Sequence, residues 1–288
     1  MIKLKSIIIG TLLTVLLATS HCGRNSGNRN SLQIKGSDTM VNLGQAWAEE
    51  FMKKNPGISI AVTGGGSGTG ISALINNACD ICEVSREMRD SEIKMAQKKG
   101  IEPFKIDVAL DGLAVVVNPA NTISRLTMEQ LSDIFTGKVR NWKEVGGHDA
   151  AIVILSREVN SGTHVYFKEH VLRKGNASGT EEFASSALMM PSSQAIADEV
   201  SQNKDALGYY GMGYITAKQK ALKIARNSSS PYVDPSIANV ISKSYPVSRP
   251  LIMYTKGEPR DAVRQFIDFI LSEDGQKIVK RLDFVPVK

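Results

Sequence analysis

The sequence predicts an α/β fold, with mostly parallel sheets covered by helices. Three observations lead there. Strand-like and helix-like segments alternate along the chain. Several strand ends run through a short Gly/Ser/Thr turn directly into a helical pattern. The 288 residues, 42% hydrophobic and 22% charged, are globular in composition and long enough for about two domains.

In chain order, Leu32–Lys35 reads as a short strand and Gly36-Ser37-Asp38 as a turn. Met40–Lys54 is a helix, because Leu43, Ala46, Trp47 and Phe51 recur at helical spacing, and Asn55-Pro56-Gly57 stops it. Ile58–Thr63 is a β-branched strand leading into a glycine-rich loop, Gly64–Gly70, and a short helix over Ile71–Asn77. Asp80–Val84 is a strand ending at Ser85-Arg86, and Ser91–Lys99 is a helix stopped by Gly100. Phe104–Leu110 and Leu113–Asn118 are apolar runs flanking Asp111-Gly112. Thr127-Met128-Glu129-Gln130 is a capping box opening a helix that ends near Gly137. Ala151–Leu155 is an apolar strand, followed by a polar loop, Arg157–Thr163, and a helix over His164–Lys174. Ser192–Gln202 is helical, Leu207–Tyr210 is a strand-like run and Leu251–Tyr254 is a strand; helices over Pro259–Leu271 and Glu273–Leu282 close the chain.

Composition excludes several function classes. Lys+Arg of 35 against Asp+Glu of 29 gives a formal charge of +6, and no basic run carries interleaved aromatics, so nucleic acid is not an expected partner. Three cysteines are too few for a disulfide scaffold. Cys79 and Cys82 form a C-x-x-C pair whose side chains point to opposite faces of an extended strand; a bridge needs Cys79 to precede the strand.

The first 21 residues read as an export signal: Lys3 and Lys5, then an apolar run from Ile7 to Ala18 that is shorter than a membrane span, then small residues. Position and flanks favour cleavage before Cys22 with lipid on its sulfur, although Thr19 and His21 depart from the usual flanking residues. Plain secretion, with cleavage near Ala18 and a free Cys22, is the alternative. Residues 22–31 hold almost nothing to bury and form a flexible tether.

Chemistry should sit on three turns of one design: Gly36–Met40, Gly66–Gly70 and Ser161–Thr163. Each ends a strand and opens a helix, where free N–H groups and the helix dipole favour negative charge. Ordinary N-capping explains any one of them; three in one chain, two lying close to arginines, point to an anion pocket. Arg157 is favoured as a ligand fork, while Arg86 is balanced between that role and a salt bridge. The glycine loop lacks the Lys-Ser/Thr of a nucleotide P-loop. Ser161 and His164 have no evident orienting acid, so a hydrolytic triad is disfavoured; no metal-ligating cluster has zinc spacing.

Several segments together resemble one family. GSDTM (Gly36–Met40), GGGSGTGI (Gly64–Ile71), SREM (Ser85–Met88), LTMEQLSDIFTGKVRNWKEVGG (Leu126–Gly147), SREVNSGTHVYF (Ser156–Phe167), LGYYGMGY (Leu207–Tyr214) and YPVSRPLIMYT (Tyr245–Thr255) are similar to the phosphate-binding proteins of bacterial phosphate ABC transporters. The resemblance implies two α/β lobes with mixed sheets, joined by two crossings near Val108–Val117 and Tyr245–Tyr254, with the ligand in the cleft between them. It places lobe 1 at 32–109 plus 250–288 and lobe 2 at 110–249. It implies a non-enzymatic protein without cofactor or metal: a monomer that binds inorganic phosphate outside the cytoplasmic membrane and hands it to a permease and ATPase complex, touching the membrane only through its lipid. Carried over, Thr39, Met40 (through its backbone N–H), Ser67 and Ser85 line one half of the cradle and Arg157, Ser161, Gly162 and Thr163 the other, with Arg86 beside Ser85. Some members carry an aspartate at the place of Ser85 and another at that of Val159, so the acceptor for a protonated phosphate must come from elsewhere. Asp38 is the candidate, with helix capping its alternative role. Rival readings are a binding protein for sulfate, molybdate or tungstate, a secreted phosphatase-like hydrolase, and an anchored sensor.

Overall fold

The structure, a computed structural model, describes residues 31–176 and 178–287. The expected export signal, Cys22 and the tether as far as residue 30 lie outside the described residues. Ser31, expected in the tether, already belongs to the first strand.

The elements run β1 (Ser31–Gly36), α1 (Val41–Lys54), β2 (Ser59–Thr63), α2 (Ser67–Ile75), β3 (Ile81–Val84), α3 (Asp90–Lys98), β4 (Pro103–Val117), β5 (Arg125–Thr127), α4 (Met128–Phe135), β6 (Val153–Arg157), α5 (Gly162–Phe167), β7 (Leu188–Met190), α6 (Ser193–Gln202), β8 (Ala206–Gly211), β9 (Lys220–Ala221), β10 (Lys223–Ala225), α7 (Ile237–Ile241), β11 (Ser248–Lys256), α8 (Asp261–Ile270) and α9 (Glu273–Arg281). The main sheet has the order β2-β1-β3-β11-β4-β8-β6-β7, with β9 beside β4; β5 and β10 form a separate pair. Pairing is parallel at the flanks, β1 with β2 and β3, and β6 with β7 and β8. It is antiparallel through the middle, where β11 pairs with β3 and β4, and β4 with β8. The sheet is therefore mixed, and the mostly parallel expectation holds only for the flanking βα units.

The centre explains the difference. The two apolar runs around Asp111-Gly112 are one strand, β4, 15 residues long. Its first half packs in one core and its second half in another. Val108 and Ala109 join Leu32, Trp47 and Phe51 of the N-terminal segment and Phe266, Ile267 and Ile278 of the C-terminal helices. Leu113, Val115 and Val117 join Phe135, Trp142, Phe167 and Tyr209. This is the two-lobe architecture, with β4 and β11 as the crossings.

Local signals behave as their chemistry requires. Thr127 caps α4, its hydroxyl accepting from the Gln130 N–H while the Gln130 side chain accepts from the Thr127 N–H. Trp47 donates its indole N–H to Gly275 O at 2.9 Å, tying α1 to the far end of the chain. The expected helix over His164–Lys174 is α5 followed by a wider π turn at Lys168–Leu172. Cys79 and Cys82 are free and buried. Among the described residues no helix is long and apolar enough to cross a membrane.

Candidate functional site

The three Gly/Ser/Thr turns meet at the cleft. The Gly66 N–H donates to Gly36 O at 2.8 Å, joining the first turn to the second. The Gly68 N–H donates to Asn160 O at 2.9 Å, and Asn160 Nδ2 donates to Gly65 O at 2.8 Å, joining the third. Two glycines make this approach possible. Gly66 has φ +95°, and a Cβ there would lie 2.8 Å from Asn160 O. At Gly162 a Cβ would lie 2.2 Å from Ser67 Oγ and 2.7 Å from Ser85 Oγ. α2 therefore begins at Ser67, inside the glycine loop, four residues before the Ile71 start that the sequence suggested.

Buried hydroxyls cluster where the turns meet. Thr39 and Thr163 Oγ1 atoms are 2.8 Å apart, one from each lobe. Ser37 Oγ donates to Ser85 Oγ at 3.0 Å, and the Ser85 N–H donates to Ser67 Oγ at 3.0 Å. Thr39, Ser67, Ser85 and Thr163 are all essentially inaccessible. Rotatable hydroxyl donors beside helix N-termini suit a small oxyanion.

Other expected residues stand differently. Ser161 Oγ caps α5, accepting from the Thr163 and His164 N–H groups. The Met40 N–H is used within its own turn, donating to Ser37 O at 3.1 Å. Arg157 does not point its fork at the hydroxyls. Nε donates to Met190 O, Nη2 to Pro191 O and Nη1 to Ser193 Oγ, and Nη1 stands 3.0 Å from Asp38 Oδ2. Asp38 makes no capping bond in its own turn; its Oδ2 instead accepts the Ser193 N–H, the first of α6, at 2.8 Å, while its backbone O accepts the Tyr214 hydroxyl. Arg86 takes the salt-bridge role. Its guanidinium grips both Glu92 oxygens at 2.8 Å, beside a cavity of about 430 Å³ lined also by Arg89, Tyr166, Glu169 and His170.

The guanidinium that does reach the hydroxyls is Arg249, which sequence reasoning missed. Its Nη2 lies 3.0 Å from Thr163 Oγ1 and 3.4 Å from Thr39 Oγ1, and Nη1 donates to Ser85 O at 3.1 Å. Asp111, its cross-strand partner between β11 and β4, accepts from Nε and Nη2 at 3.1 and 2.9 Å and from the Met212 N–H at 3.0 Å. Both side chains are fully buried. A signal existed: Asp111 and Arg249 are the lone charges of the two expected crossings, Val108–Val117 and Tyr245–Tyr254, and charges in otherwise apolar segments need partners when buried.

Comparison with known proteins settles the family. A PBP superfamily domain matches residues 23–274. The phosphate-binding protein PstS of Pseudomonas aeruginosa is 33% identical over 279 residues, covering 91% of this chain and 84% of that protein. PstS of Bacillus subtilis is 35% identical over 262 residues, covering 89% and 81%. The chain belongs to the phosphate-binding protein family. A crystal structure from Clostridium perfringens, described as a phosphate ABC transporter substrate-binding protein with bound phosphate, superposes with a TM-score of 0.80 at 35% identity, covering 90% of this chain and 100% of that one.

Electrostatics within this family member follow burial. His164 donates from Nδ1 to Arg157 O at 2.8 Å, and burial pushes its pKa down to about 4, so it is neutral. Its ring faces Arg157 O, not the Ser161 hydroxyl. Burial also raises the Asp111 carboxyl above its ordinary value, against the pull of Arg249. Glu83, on β3 beneath α1, is fully buried with neither carboxyl oxygen hydrogen-bonded, and burial pushes its pKa up to about 8.

Proposed function

We propose that this protein is an exported receptor for inorganic phosphate that closes its lobes on the anion and delivers it to an ABC permease and ATPase complex. One observation carries the reading: helix N-termini from both lobes converge with two buried hydroxyl pairs, Thr39 with Thr163 and Ser67 with Ser85, each within hydrogen-bonding distance. The relatives' names, and the phosphate bound in the Clostridium perfringens protein, support the choice of anion. In this reading the lobes divide at 32–109 with 250–288, and 110–249. Arg157, Ser161 and Gly162 complete the second-lobe wall, and Met40 packs behind the first turn. Asp38, drawn across the cleft to Arg157 and Ser193, joins the lobes when closed. The protein acts as a monomer, is held to its membrane by lipid on Cys22, and turns over no substrate.

Titration calorimetry of the purified protein tests this. Phosphate should bind with 1:1 stoichiometry and far more tightly than sulfate, molybdate or tungstate, and a phosphoester should not be hydrolysed. Equal or tighter binding of another oxyanion would replace phosphate as the ligand.

A further inference from the structure

The hydroxyl cluster supplies neutral donors, and the arginine expected to add charge, Arg157, is held by Met190, Pro191, Ser193 and Asp38. We propose that Arg249, fixed by Asp111, is the charged contact of the bound anion and senses both lobes at once. The inference rests on the phosphate reading above.

Placement is the first argument. Arg249 sits on β11 and Asp111 on β4, directly paired across the two crossing strands. The guanidinium thus belongs to the part of the molecule common to both lobes. Its Nη2 reaches Thr163 from the second lobe and Thr39 from the first, whose hydroxyls meet at 2.8 Å. Nη1 is anchored on Ser85 O, behind the Ser85 hydroxyl that joins the same cluster.

The second argument is how firmly the fork is held. Asp111 Oδ2 takes Nε and Nη2, and Oδ1 takes the Met212 N–H, so both carboxylate oxygens are engaged. The Tyr166 ring lies 5.7 Å from the guanidinium carbon. A planar fork so held loses little freedom when an anion arrives, which favours binding. A buried pair of this kind is poor evidence for stability alone, because apolar residues of similar size usually serve as well. Its position against the hydroxyls gives it a use.

The test separates a charge contact from a structural pair. Phosphate titrations compare wild type, D111N and the double variant R249Q/D111N, with thermal denaturation in phosphate-free buffer to verify folding. D111N keeps the positive charge but holds the fork less firmly, so its affinity should fall by no more than about threefold. R249Q/D111N, a neutral hydrogen-bonded pair, should bind roughly tenfold or more weakly. A purely structural role predicts equal losses in both variants, and that result overturns the proposal. If the double variant does not fold, R249K takes its place. It keeps the charge but cannot hold Asp111 and both threonines together, so it too should lose roughly tenfold, and unchanged affinity overturns the proposal. Wild type that fails to bind phosphate removes the phosphate reading itself; wild type that binds, beside an R249Q/D111N variant that binds equally well, removes only the role of Arg249.

Discussion

Gly162→Ala isolates the closeness of the lobes from the stability of the fold. Gly162 is the first residue of α5 and faces α2 across the cleft. An added methyl carbon would lie 2.2 Å from Ser67 Oγ, 2.7 Å from Ser85 Oγ and 2.9 Å from Ser67 Cβ. The Ser67 hydroxyl can swing away; its Cβ cannot. Carbon–carbon contact needs about 3.5–4.0 Å, so α5 must withdraw from α2 by something on the order of an ångström. The Thr39–Thr163 contact, 2.8 Å in the structure, then leaves hydrogen-bonding range. A hydrogen bond to a charged group contributes about 1.5–3 kcal/mol, and losing one donor from each lobe costs ~3 kcal/mol or more, roughly a hundredfold in affinity. Folding should change by less than ~1 kcal/mol, because the lobes can rest slightly apart without exposing either core. Calorimetry with phosphate and a thermal melt of G162A measure the two quantities separately. Affinity within about twofold of wild type would refute the reasoning, since the bound form would then not bring these turns together.

Two further predictions concern the scaffold. Glu83, held at about 8 by burial against 4.5 ordinarily, keeps a proton in the native state that the unfolded chain releases. Stability should therefore fall as pH rises from about 4.5 to about 8, by an amount on the order of 2 kcal/mol or more; E83Q should flatten that slope, and urea midpoints with the same pH dependence for both proteins would contradict it. Thr127→Ala removes the cap of α4 and should cost about 1 kcal/mol in urea unfolding without changing the slope of the transition; no loss would mean the cap is replaced by solvent.

The sequence made local features readable and distant ones opaque. The turns at Gly36, Gly66 and Ser161 and the capping box at Thr127 were legible because the residues that make them lie within a few positions of one another. α2 was placed too late because glycine disfavours helix, yet here the Gly68 N–H is secured by Asn160 O from the other lobe. The Arg157 contacts were hidden because Met190, Pro191 and Ser193 lie on β7 and the start of α6, and β7 is a short edge strand without an alternating pattern. Arg249 and Asp111 are 138 positions apart, and nothing in a single chain reveals the register that pairs β4 with β11. Arg86 was more decidable than it looked: Glu92, whose carboxylate also accepts the Arg89 N–H, is an acid in the first turn of α3, within reach of the arginine.

The route of the backbone also bears on the order of synthesis. Residues of the second lobe's core form one continuous stretch from Leu113 to Val247, joined at the end by Val285, so most of that half can condense while the ribosome is still adding amino acids. The other half cannot: Trp47 waits for Gly275, 228 positions later, and Leu32 and Phe51 wait for Phe266 and Ile278. A nascent polypeptide of this design keeps its leading portion unfolded until translation is nearly complete, so that portion joins a structure whose other half is already in place.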